Sequence, residues 1–371
     1  MRALSLADDG QQLLLGGSLQ RPDGHGGLQP ESFLSVSDYT DWAFWSAQQG
    51  PDAEVMALAD AGDTVYVGGS FERVAGRHSP GIALLRVVPD QALLPSANAW
   101  GRLGAGLVVQ TGQGPALPGV VRTIVPTPGG RVLVGGTFGA SLYGVDPQHI
   151  VQPPQLGFAN FIIWSPQLRA WLSAGQAYGP AGAGAYASRV DALASYDGRT
   201  IVGGRFSLVG TGAGVQALQP AQGWAAFRDP PNLRWEPLYP QMRSDVRSLM
   251  ATPQGLYLGG RFRSSPSAAL RTLLCWDGAS LQGVVLPLVV RAGSAPQGQA
   301  PVIDAITPFD GRIYVGGRFS ELSNGMPVSN LAWFEADTQQ PHGVFGEGVD
   351  GKVRAIIPAW AMLTDAQEPS P

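Results

Sequence analysis

Short runs of apolar, β-branched and aromatic residues recur along the chain, bounded by Gly, Pro, Asn and Asp, and six of them end in a pair of glycines. They read LLLGGSL, VYVGGSF, VLVGGTF, TIVGGRF, LYLGGRF and IYVGGRF, with the pairs at Gly16–Gly17, Gly68–Gly69, Gly135–Gly136, Gly203–Gly204, Gly259–Gly260 and Gly316–Gly317. Runs of this length and composition predict β-strands. About ten to thirteen residues ahead of each pair stands another short apolar run: RALSL, EVMAL, VVRTI, RVDAL, VRSLM or VIDAI. Turn sequences such as YDGRT, TPQG and FDGR lie between the two, so each couple reads as a hairpin. A third run ending near an aromatic follows: FLSVSD, GIALLRV, NFIIWS, GWAAFRD, LLCWDG or NLAWFEA. A fourth, often marked by Trp or Gly, closes the unit, as in DWAFWS, AWGRLG, AWLSAG and RWEPLY.

The first glycines of successive pairs are 52, 67, 68, 56 and 57 residues apart. A period near 50 that carries strand signals points to propeller blades, and four strands is the content of one blade. The predicted fold class is therefore all-β: a β-propeller of six four-stranded blades starting near residues 2, 54, 120, 189, 246 and 302. KVRAIIP, residues 352 to 358, repeats the first strand of a unit, but no second strand precedes the tail TDAQEPSP. Residues 1–358 accordingly read as one propeller domain with an extra strand, and 359–371 as a C-terminal tail. Seven blades with the last incomplete is the alternative. Because Gly has no Cβ, the pairs are expected where inner strands pass close to neighbouring blades. Phe71, Phe138, Phe206, Phe262 and Phe319, two residues after the pairs, are expected to pack between blades.

The apolar run, the GG pair and the Trp-bearing strand downstream resemble the kelch type of β-propeller repeat. The fuller form, VGGRFS and SNLAWFE followed by VRAI, more closely resembles the "VGGxF" propeller repeats of secreted and surface bacterial proteins and of a fungal family of cortical polarity markers. The resemblance spans residues 2 to about 358. It implies the propeller fold and an extracellular or cell-surface setting, whereas the functions of such repeats are diverse. The first unit departs from it, with GGSL in place of GG followed by Phe, and the units differ in loop length by up to sixteen residues.

Composition narrows the partners. Net charge is −4, only 14% of the 371 residues are charged, and Lys352 is the single lysine. No basic stripe is present to neutralise a phosphate backbone, which argues against nucleic acid. The start, MRALSLADDGQQLLLGG, is broken by Asp8, Asp9, Gly10, Gln11 and Gln12 and is not the continuous core of a signal peptide. LQGVVLPLVV contains Pro287 and is about half the length of a helical span, so no membrane span is expected. Cys275 is the only cysteine and forms no internal disulfide, which suits a reducing compartment and an exported bacterial protein equally.

Candidate chemistry starts from one repeated position, two residues before the Ile or Leu of each first strand. It holds Met56, Arg122, Asp191, Arg247, Asp304 and Arg354. Alternating Arg and Asp there read either as a charged ring that binds a ligand or ion on the axis, or as a structural ring of ion pairs. Arg205, Arg261 and Arg318 follow the glycine pairs of three consecutive units, on the strand face opposite the Phe. Three arginines on neighbouring blades hold a carboxylate in sialidase propellers, but the Tyr and Glu partners and the Asp-box turn of that family are missing here. His25, His78, His149 and His342 lie in separate loops without paired spacing, and Asp60 and Asp63 lack the ordered spacing of a calcium loop. A copper oxidase on a kelch-type scaffold would need a Tyr–Cys crosslink and two histidines; Cys275 beside Trp276 reads as a small buried residue. No GxSxG elbow or phosphate loop occurs, and the glycine-rich stretch 179 to 186 precedes no helix. No catalytic, cofactor-binding or metal-ligating residue is assigned.

The long segments 19–31, 104–119, 139–157, 174–188, 210–222 and 291–300 interrupt the repeat and are rich in Gly, Pro, Gln and Ala. Rigid repeat scaffolds present function in such loops. The expected function is thus a non-enzymatic scaffold whose loops bind protein or glycan. The competing expectation is a propeller glycosidase or lyase with carboxylates at one channel mouth. DYTDWAFW, residues 38–45, is a further patch candidate, read either as blade packing or as an exposed aromatic surface.

Overall fold

The structure, a computed structural model, describes residues 1–7, 12–22, 28–38, 42–87, 96–109, 116–139, 159–172, 174–178, 188–210, 218–228, 234–265, 267–283, 288–289, 300–322, 327–335, 341–343, 349 and 351–358. Six antiparallel units, each of four strands paired in chain order, are arranged as the blades of a β-propeller, and the third of them is extended into a seven-stranded sheet. Blade 1 is built from Ala3–Ala7, Gln12–Pro22, Leu28–Ser37 and Trp42–Trp45. Blade 2 uses Val55–Asp60, Thr64–Gly69, Ile82–Arg86 and Trp100–Arg102, and blade 3 uses Val120–Pro126, Val132–Gly139, Ala159–Ser165 and Ala170–Leu172. Blade 4 comprises Arg189–Tyr196, Arg199–Arg205, Trp224–Arg228 and Arg234–Pro237. Blade 5 comprises Arg243–Thr252, Gly255–Arg263, Arg271–Trp276 and Leu281–Gly283. Blade 6 comprises Val302–Phe309, Arg312–Arg318, Leu331–Glu335 and Pro341–Gly343. The DG turns behave as their chemistry requires. Asp197 and Gly198, and again Asp310 and Gly311, have φ of 50° and 67°, and 50° and 70°, the left-handed pair of a two-residue type I′ hairpin.

Packing between blades is carried by the residues the repeat marks. Five hydrophobic clusters each draw on two successive blades, and one of Phe71, Phe138, Phe206, Phe262 and Phe319 lies in each, 5% exposed or less. The first glycine of each pair faces the first strand of the following blade. A Cβ on Gly16, Gly68, Gly135 or Gly203 would come within 2.6, 2.5, 2.5 and 2.5 Å of Val55, Val121, Val190 and Val246, respectively. The close approach anticipated for the pair therefore holds for its first member.

The second glycine answers to a different neighbour. A Cβ on Gly69, Gly136, Gly204, Gly260 or Gly317 would strike the carbonyl oxygen of Glu54, Val120, Arg189, Asp245 or Val302, in or immediately before the first strand of its own blade. The register explains why. Val121 pairs with Gly136 and Thr123 with Gly135, so Arg122 is skipped, and Met56, Asp191, Arg247 and Asp304 are skipped in the same way. Each blade from the second to the sixth thus carries a β-bulge opposite its glycine pair. A bulge kinks the strand and re-aims the extra side chain.

Short segments tie neighbouring blades together. Gln176–Tyr178 pairs with Leu208–Gly210, and Leu288–Val289 pairs with Glu321–Leu322. The indoles of Trp100 and Trp235 donate to the carbonyls of Gln49 and Ala174 at 2.7 and 2.9 Å. At the residue before the third-strand partner of the first glycine, blades 2 and 4 use Gly81 and Gly223, and blades 3 and 6 use Asn160 and Asn330, all with positive φ. Asn160 Oδ1 accepts from Phe138 N at 3.1 Å, and its amide donates to Ala177 O at 2.7 Å and Ser188 Oγ at 3.0 Å. Asn160→Ala is expected to cost about 3 kcal/mol, because it strands buried partners and keeps a left-handed backbone that Ala disfavours. Asn160→Gly, which relieves the backbone, is expected to cost less; urea midpoints at constant slope compare the two.

Residues 352–358 follow blade 6 and take the position that the next first strand would hold. Val353 and Ile356 bear on Gly316 as Val121 and Ile124 bear on Gly68. Val353 N donates to Gly317 O at 3.0 Å, and Thr307 Oγ1 donates to Ile356 O at 3.0 Å. The segment expected to form an extra strand takes this position, but it forms no strand and joins no sheet among the described residues. Val353 and Ile356 are only half-buried, whereas Val55, Val121, Val190, Val246 and Ile303 are 0% exposed. The tail at 359–371 lies outside the described residues.

Candidate functional site

The bulges bring the repeated charged position to the propeller axis. Arg2, Met56, Arg122, Asp191, Arg247, Asp304 and Arg354 line one central cavity of about 110 Å³. Six of these seven were legible as an equivalent position. Arg2 occupies the same place in MRAL as Arg122 does in VRTI, but Met1 stands where every other unit has Val or Ile, which hid the equivalence. Four arginines face two aspartates around the ring, an excess of two positive charges.

Residues two places ahead of the ring supply most of its ion pairs, and these the sequence reading missed. Arg189 Nε donates to Asp191 Oδ2 at 2.6 Å, and Arg189 Nη2 donates to Asp245 Oδ1 at 3.1 Å. Arg247 Nη2 donates to Asp245 Oδ2 at 2.9 Å, and Arg247 Nη1 stands 4.0 Å from Asp191 Oδ2. Lys352 Nζ lies 2.8 Å from Asp304 Oδ2, and Arg2 Nε donates to Glu54 Oε1 at 2.7 Å. Asp191 is the hub, with a side chain 7% exposed and three guanidiniums within 4.0 Å. Burial pushes its carboxyl above the ordinary value, while Arg189, Arg247 and Arg122 pull it back. For Arg247, Asp191 and Asp245 overcome the effect of burial and raise the guanidinium.

The three post-glycine arginines do not form one triad. Arg261 Nη2 and Arg318 Nη2 both donate to Ala300 O, at 3.3 and 3.1 Å. Arg318 is lowered by burial and by Arg261 beside it. Arg205 is exposed, paired across the hairpin with Arg189. Arg261 also lines a second cavity of about 330 Å³ with Arg243, Asp245 and Arg263.

Elsewhere, His78 lies 3.8 Å from Glu72 on the surface, and the imidazole of His342 stacks on Trp333 at 4.2 Å between centroids. His25 and His149 lie outside the described residues. Among the described residues, no group of three His, Cys, Asp or Glu could hold a metal ion. No helix of the described chain is long and apolar enough to cross a membrane. Cys275 is a free, half-buried thiol raised by burial. In DYTDWAFW the alternation divides the aromatics: Trp45 is fully buried toward blade 2, while Trp42 and Phe44 are 45% and 40% exposed on the opposite face. The centres of the long loops, 23–27, 110–115, 140–158, 179–187, 211–217 and 291–299, lie outside the described residues.

Six four-stranded blades around an axis lined by one side chain from each inner strand define a β-propeller. No family model matches the chain, and no curated protein matches it. Among solved structures it is similar to the crystal structure of the computationally designed Ika8 protein, at 13% identity and a TM-score of 0.40, over 95% of this chain and 88% of that chain. A likeness this distant bears on neither fold nor function.

Proposed function

We propose that the chain is a non-enzymatic binding scaffold of the kelch-like, VGGxF type, acting outside the cell or on its surface, with protein or glycan engaged by its loops. One observation carries this reading: the carboxylates at the axis are already occupied by cations. Asp191 is held by Arg189, Asp245 by Arg189 and Arg247, and Asp304 by Lys352. A glycosidase needs two carboxyl groups free to serve as acid and as nucleophile or base, and ion-paired carboxylates at a repeated structural position are poorly suited to either role. The exposed pair Trp42 and Phe44 is in keeping with a contact surface.

The test is to incubate the purified chain with polysaccharides and aryl glycosides, following reducing ends and unsaturated products, while affinity electrophoresis measures retention by the same polysaccharides. Retention or protein binding without product is expected. Product formation abolished by Asp191→Asn or Asp304→Asn would make the chain an enzyme and overturn the proposal.

A further inference from the structure

Two cations of the axial ring, Arg122 and Arg354, have no carboxylate within hydrogen-bond reach. The Arg122 side chain is 31% exposed, and its one carboxylate neighbour, Asp191 Oδ1, stands 3.7 Å from Nε, too far for a hydrogen bond. Its Nε is buried with no partner, as is the Nε of Arg247. Arg354 is exposed at the mouth of the cavity and makes no hydrogen bond or ion pair among the described residues. The two ring carboxylates cannot serve them fully, because Asp191 is engaged by Arg189 and Asp304 by Lys352. A guanidinium offers five donors and no acceptor, and the buried unpaired Nε donors of Arg122 and Arg247 call for an acceptor from elsewhere. Burial, and then the neighbouring cations Arg189, Arg247 and Arg2, hold Arg122 below the ordinary arginine value against the pull of Asp191. A negative charge on the axis would relieve that repulsion.

We infer that the axial cavity is a binding site for a small oxyanion, a phosphate, sulfate or carboxylate group, held by Arg122 and Arg354, with Arg2 and Arg247 completing the field. The cavity of about 110 Å³ admits a group of a few heavy atoms. Guanidinium forks match the oxygen edges of such groups, and their planar donors remain charged at any physiological pH. None of the residues lining the site belongs to the long loops.

Isothermal titration of the full chain at low ionic strength with inorganic phosphate, sulfate and acetate, each against chloride at matched ionic strength, tests the inference. One saturable site per chain is expected. Phosphate and sulfate binding without acetate would assign tetrahedral anions, and binding of all three would extend the site to carboxylates. Arg122→Gln and Arg354→Gln should each weaken binding about 10-fold or more, as expected for loss of a charged hydrogen bond. Arg205→Gln, an exposed residue that does not line the cavity, should not. Arg354 lies in a segment outside the sheets, so its variant is expected to fold even if the Arg122 variant does not. No saturable heat, heat equal to that of chloride, or affinity unchanged in Arg354→Gln would overturn the inference.

Discussion

Gly204→Ala is expected to destabilise the propeller by about 3 kcal/mol or more, and Gly203→Ala, one residue earlier, by about 1–3 kcal/mol. The difference lies in what each new methyl group meets. At Gly203 the obstacles are the side chains of Val246, at 2.5 Å, and Leu249, at 3.2 Å, on the next blade. Side chains can shift or be trimmed. At Gly204 the nearest atoms are the carbonyl oxygen of Arg189 and the Cα of Val190 on the same hairpin, all backbone. The bulge holds those atoms in place, so the methyl group fits only if the bulge opens and Asp191 is displaced from the axis. Adding Val246→Ala to Gly203→Ala should therefore recover part of the loss as a favourable coupling, measured by a double-mutant cycle in urea. Truncating a neighbouring side chain should not rescue Gly204→Ala. Equal losses at the two glycines, or the absence of coupling between Gly203 and Val246, would contradict the division of roles between the glycines.

Asp191→Ala should cost about 3–5 kcal/mol, the range for removing one partner from a buried charge cluster. Arg189, Arg247 and Arg122 all turn toward this carboxylate, within 2.6, 4.0 and 3.7 Å. Without it, three guanidiniums repel one another in a low-dielectric channel, and only Arg189 and Arg247 keep a partner, in Asp245. Asp304→Ala should cost less, because its partner Lys352 is a flexible ammonium, 27% exposed, that can swing into water. Chemical denaturation of both variants at low and high salt checks the ranking. Salt should recover part of the Asp191→Ala loss by screening the repulsion. A loss below about 1 kcal/mol would mean that the ring is solvated charge with no structural role.

The repeat made the blades legible. Strand runs, DG turns, glycine pairs and the following Phe recur at fixed offsets, and each reports a local requirement that a single blade already imposes. The ring position was legible for the same reason, from Arg122 through Arg354. Other features required knowing which strand faces which. Arg189, Asp245, Glu54 and Lys352 each sit two places ahead of the ring, but Val120 and Val302 hold that position in other units, so its charge does not recur around the repeat. Arg205, Arg261 and Arg318 share one sequence position, yet two of them meet at Ala300 O and the third does not.

By itself, the sequence determined an all-β chain of six four-stranded units, because side-chain alternation and turn chemistry act over a few residues at a time. Only the tertiary structure decided that the two glycines have different causes, one in the neighbouring blade and one in the bulge of its own hairpin. Only it showed that the bulge turns the repeated charge toward the axis, and that Arg2 and the segment at 352–358 complete the lining there. Register and blade contact couple residues more than fifty positions apart, and that coupling exists only when the strands are placed side by side.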